Sequence, residues 1–125
     1  MIKGQVHSKF KVFIPASGVP YADAMSQLSA KVEEFTSHDN VAAKSVGVEY
    51  MEGTKQLILS VGYRDDEPGY KAKLVSISLG THIRLEPELI EAAMTKAAEG
   101  VENVICHEFF VTDEGEFVMV LMAHG

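Results

Sequence analysis

The segment Val104-Ile105-Cys106-His107-Glu108-Phe109-Phe110 sets a thiol, an imidazole and a carboxylate among large apolar side chains. A carboxylate buried there is disfavoured in its charged form, so its pKa rises. That suits Glu108 to a general base or to contact with a cationic ligand. The ordinary alternative is a salt-bridged or edge-exposed Glu. His107 and His124 are the further acid–base candidates, because imidazole titrates nearest neutrality; a core histidine satisfied by backbone is the plainer reading of His107. Cys106 becomes a nucleophile only if a base such as His124 lies beside it, and free buried cysteines are usually inert small hydrophobes. No two histidines stand at an H-x-x-x-H spacing, and Asp65-Asp66-Glu67 lacks the alternating ligands and closing Glu of a calcium loop, so no metal is expected. Ser17-Gly18 precedes a helix, but without a nearby Lys, and Pro20 removes a donor, so an anion site has little support. G-x-G-x-x-G, P-loop and G-x-S-x-G motifs are all missing, and no cofactor is expected.

These residues need elements to hold them. Residues 6–14 alternate as a strand with Phe10, Val12 and Ile14 on one face, and Pro15 to Pro20 breaks it. Residues 20–36 place Tyr21, Met25, Leu28, Val32 and Phe35 at helical spacing. Residues 43–51 and 55–64 read as a hairpin whose two-residue turn pairs Val48 with Leu57 and Val46 with Leu59. Asp65-Asp66-Glu67-Pro68-Gly69 is a turn at the midpoint, after which the order repeats. A strand covers 71–79, a helix runs from Pro87 to Glu99 with Leu89, Ile90, Ala93, Met94 and Ala97 inward, and a hairpin covers 102–112 and 115–123. The expectation is one α+β domain with pseudo-repeat halves at roughly 1–64 and 70–125. Two strand–helix–strand–strand halves form an antiparallel sheet with two helices on one face.

Helices on one face leave the other to be covered. Val118, Val120 and Met122 alternate with Phe117, Met119 and Leu121, so the last strand is apolar on both sides. A three-residue Asp113-Glu114-Gly115 loop with a Gly bulge pairs Thr112 with Glu116 and Glu108 with Val120. Cys106, Glu108, Phe110, Val118, Val120, Met122 and His124 then share the uncovered face; a slip of one residue brings His107 there instead of Glu108. The expected ligand-binding residues are therefore Glu108, Cys106, Phe110, Val120 and Met122. A partner subunit, a ligand pocket or both cover them.

The chain has 125 residues, is 46% hydrophobic and carries a net charge of −7. Residues 1–64 hold seven Lys/Arg against six Asp/Glu, and residues 65–125 hold four against twelve. This acidic balance argues against nucleic acid and anionic membrane surfaces as partners. The longest apolar run, Phe117 to Ala123, is too short to span a bilayer. One cysteine and an N-terminal stretch without an apolar core lead to an expected cytoplasmic location.

The order of elements, with Glu108 on an open sheet face, resembles the duplicated layout of gyrase-inhibitor-like effector-binding domains. That resemblance implies a Glu on the sheet in contact with cationic small molecules. The layout also resembles ferredoxin-like dimers whose sheets pack face to face, which implies a homodimer. The leading expectation is a non-enzymatic homo-oligomer that binds a small neutral or cationic ligand. The rival is a cofactor-independent enzyme using Glu108, His107 or His124, and the third reading is a purely structural interaction module.

Overall fold

Prolines 15 and 20 bracket the break between the first strand and the first helix. The computed structural model describes residues 8–124 except Ser17, Asp39, Glu52 and Lys55. Within it the order is β1 (Lys9–Phe13), α1 (Tyr21–Thr36), β2 (Ala42–Met51), β3 (Gln56–Arg64), β4 (Ala72–Thr81), α2 (Pro87–Ala98), β5 (Val104–Val111) and β6 (Glu116–His124). The first residues of the strand predicted over 6–14 lie outside the described residues. Pro20 precedes α1, and its carbonyl accepts the Ala24 N–H at 3.0 Å. Its absent N–H costs nothing at that end.

The chain is α+β, and its strands form two antiparallel sheets where a single one was expected. Their orders are β1-β3-β2 and β4-β6-β5, so each half pairs its first strand with its third and its third with its second. The edge strands β2 and β5 run beside each other without a ladder. The Cys106 thiol meets the Val46 backbone N–H, and Phe110 stacks on Tyr50 four residues further along both strands. The two strands thus run in the same direction. On β5 itself the Glu108 carboxylate accepts the N–H of Phe109 at 3.0 Å.

Register decides which residues face inward. The second hairpin follows its turn chemistry: Glu108 lies opposite Val120, Thr112 N–H reaches Glu116 O at 2.9 Å, and Gly115 takes φ +81°. The first hairpin closes on Met51 and Gln56, pairing Val48 with Leu59 and Val46 with Val61. This is two residues from the predicted register, and because the shift is even, every side chain keeps its face.

The face expected to be open is instead the core. Phe110, Val118, Val120 and Met122 are buried with Val46, Val48, Leu57, Leu59 and Val61 of the first sheet and Met25, Leu28 and Val32 of α1. One helix serves both sheets, which a reading of two helices over one sheet does not allow for. Hydroxyls of α1 also close the free edge of β4. Thr36 Oγ1 accepts the Ala72 N–H at 2.8 Å and donates to Val32 O at 2.7 Å. Ser29 Oγ accepts the Leu74 N–H at 3.2 Å and donates to the Leu74 carbonyl at 3.3 Å. Seven residues apart on the helix, they meet alternate residues of the strand, so edge groups that could template foreign pairing are satisfied. By contrast α2 buries none of its residues, and Leu89 is 50% exposed.

Candidate functional site

The β1–α1 loop, the last residues of β2 and the β5–β6 turn come together at one end of the core. They enclose a pocket of about 290 Å³, near the lower end of the ligand-pocket range of roughly 300–1,000 Å³. Its apolar wall is Pro15, Val19, Pro20, Ala24 and Leu57, and its polar side is Tyr21, Tyr50, Thr112, Asp113 and Glu114. Gln56 Nε2 donates to Pro15 O at 3.4 Å, tying the loop to β3. Phe110 lies behind the two tyrosines, stacked with Tyr50 at 6.3 Å and edge-on to Tyr21 at 6.4 Å. The tyrosine rings thus stand on a rigid aromatic support.

Among the described lining residues the charges have one sign: Asp113 and Glu114 stand at the rim, and no Lys or Arg is among them. Partial burial pushes the Tyr21 hydroxyl above its ordinary pKa, and its hydrogen bond to the Glu116 carboxylate pushes it the same way. Tyr21 is therefore a neutral donor at physiological pH. Thr112 Oγ1 accepts the Glu116 N–H at 3.1 Å, fixing the turn. The arrangement offers aromatic faces and carboxylates to a ligand, with no activated nucleophile among the described lining residues.

The candidates read from the sequence do not assemble into a catalytic group. Glu108 and His107 alternate along β5, opposite Val120 and Leu121, and so project from opposite faces. His107 is exposed, and Glu108 is half-buried with its carboxylate on the Phe109 N–H. His124 lies at the far end of β6, stacked on Tyr70 at 4.8 Å. No hydrogen bond or ion pair joins the three among the described residues. Burial pushes the Cys106 thiol up to about 11, against the lowering contact of the Val46 N–H, so it stays protonated at neutral pH. Val120 and Met122 are fully buried in the core, and Phe110 reaches the pocket only through the tyrosines. Among the described residues no three His, Cys, Asp or Glu groups converge on a possible metal position.

Sequence reasoning read Asp113-Glu114-Gly115 as a turn and Pro15 to Pro20 as a break. The missing link was the parallel run of β2 beside β5, which brings these segments together. A carboxylate pair in a turn next to a proline-bracketed loop was the available signal. No family model, curated protein or solved structure matches this chain.

Proposed function

We propose that this chain is a non-enzymatic, self-associating binding protein that takes a small neutral or cationic organic ligand in the pocket between Tyr21, Tyr50 and the Asp113–Glu114 turn. The observation that carries the reading is the pocket's lining: tyrosine rings and proline on its walls, two carboxylates at its rim and no basic residue among the described lining residues. An ammonium group gains from the carboxylates and from the tyrosine faces, while its hydrocarbon body fills the apolar side. The separation of Glu108, His107 and His124 supports binding over catalysis. The repeated strand order favours the duplicated layout of gyrase-inhibitor-like domains over a single ferredoxin-like sheet. The ligand then sits where the halves meet, away from Glu108.

Benzylamine, benzyl alcohol and benzoate have the same ring and differ in charge. At pH 7 and 150 mM salt, 10 mM benzylamine with a Kd near 1 mM stabilises the protein by about 1.4 kcal/mol. That corresponds to a rise of about 5 °C in Tm for a chain of this length. Benzyl alcohol gives a smaller rise and benzoate none. The Asp113→Asn/Glu114→Gln variant brings benzylamine down to the level of the alcohol. A benzoate shift equal to that of benzylamine, or no shift with any of the three, defeats the reading.

A further inference from the structure

The two halves repeat one plan, and their contact inside the chain shows how such halves join. The central strands β3 and β6 both span nine residues, and Phe13 lies opposite Leu59 as Ile77 lies opposite Met119. Ile58, Ser60 and Gly62 therefore correspond to Val118, Val120 and Met122. In the second half that face is the surface seated on α1 and β2 of the first half, and all three residues are at most 1% exposed. In the first half Ile58 and Ser60 on the corresponding face are part-exposed, and the Phe10 ring lies beside Gly62. Phe10, opposite Gly62, is the counterpart of Leu74, opposite Met122. Leu74 is 8% exposed against α1, whereas Phe10 is 70% exposed and Val12 beside it 53%.

The matching surface is exposed at the other end of the repeat. Phe109, opposite Met119, is the counterpart of Val48, opposite Leu59. Val48 is 7% exposed; Phe109 is 42% and Val111 45% exposed. Helix α2, the counterpart of α1, lies against β4 and buries no residue of its own. Each chain thus holds one completed junction between halves, and the two surfaces of a second junction remain open at opposite ends.

We infer that copies of this chain associate head to tail. The Phe10 face of the first sheet in one copy seats on α2 and the Phe109 side of β5 in the next, repeating the junction already made within the chain. The partner is a second copy, and the interface is heterologous, so the assembly closes into a ring or grows as a filament. This rests on the self-association part of the proposed function and adds its geometry.

Two variants and their mixture test it by light scattering after gel filtration. Phe10→Asp removes one surface from every copy and Phe109→Asp removes the other, so each variant alone runs as a monomer while wild type is oligomeric. Mixed in equal amounts, the intact surface of each meets the intact surface of the other and a 1:1 heterodimer forms. A side-to-same-side dimer gives a different pattern: one variant stays oligomeric and mixing restores nothing. That result overturns the head-to-tail geometry and leaves self-association standing. A monomeric wild type at 100 μM overturns both. Cooperative melting of each variant shows that it has folded, and Val12→Asp and Val111→Asp replace whichever does not melt cooperatively.

Discussion

Cys106 and Glu108 show how far a residue's chemistry can be read before its neighbours are known. That Cys106 is a structural thiol follows from its apolar setting, and burial pushes it up to about 11. The pairing of Glu108 with Val120 was legible because a three-residue turn ending in Gly fixes the parity of the hairpin. Which side of the sheet that parity points to was not legible, since it depends on α1, some eighty residues earlier in the chain. The thiol has a measurable consequence. Its pKa is higher folded than unfolded, so the native state holds the proton more tightly. Its contribution to stability is whole below pH 9 and is lost as pH rises toward 11. Between those limits wild type loses Tm faster than Cys106→Ala, which has no such group. Tyr21, also shifted upward, titrates in both proteins and cancels in the difference. Parallel Tm curves from pH 8 to pH 11 for the two proteins contradict this. At pH 8 the native thiol reacts with a disulfide reagent about 100-fold more slowly than a free thiol, as its small thiolate fraction requires.

Elements were legible where a period of 3.6 or 2 ran unbroken. Both helices and the strands after residue 40 fall within about two residues of the expected bounds. The division into two sheets was not, because it lies in how β2 and β5 run side by side without a ladder, with the Cys106 thiol beside Val46. The role of α1 was only half legible. Its apolar stripe was plain, but nothing in the sequence marks Ser29 and Thr36, whose hydroxyls hold the edge of β4. Thr36 is 2% exposed, so replacing it with Val keeps the shape and leaves the buried Ala72 N–H without an acceptor. That costs about 1–3 kcal/mol. Thr36→Ser keeps the acceptor and loses a methyl group, which costs about 0.8 kcal/mol. In urea unfolding the Val variant should therefore be the less stable of the two. The reverse order means that the hydroxyl does not hold the strand.

At the scale of the whole molecule, the segment between Arg64 and Ala72 sets how the halves meet. The sequence marked Asp65-Asp66-Glu67-Pro68-Gly69 as a turn at the midpoint, and composition alone supports no more than a solvated link. In the fold this segment is held against the start of β2. Lys44 pairs with Glu67 at 2.6 Å. Gly69 lies so close to the β2 backbone that a Cβ there would come within 2.0 Å of Val41 O and 2.6 Å of the Ala42 Cα. Both neighbours are main chain, so neither can rotate away, and Gly69→Ala must displace the link or the strand. Overpacking of this kind costs about 1–3 kcal/mol. The ion pair beside it has a half-exposed lysine, so Lys44→Ala costs under about 1 kcal/mol. Close backbone approach, rather than charge, then fixes the second half against the first. The urea midpoint of Gly69→Ala should fall well below that of Lys44→Ala with the m-value unchanged. Equal midpoints would mean that the link follows the halves instead of positioning them, and the pocket and the internal junction would then depend on α1 and the Cys106 seam alone.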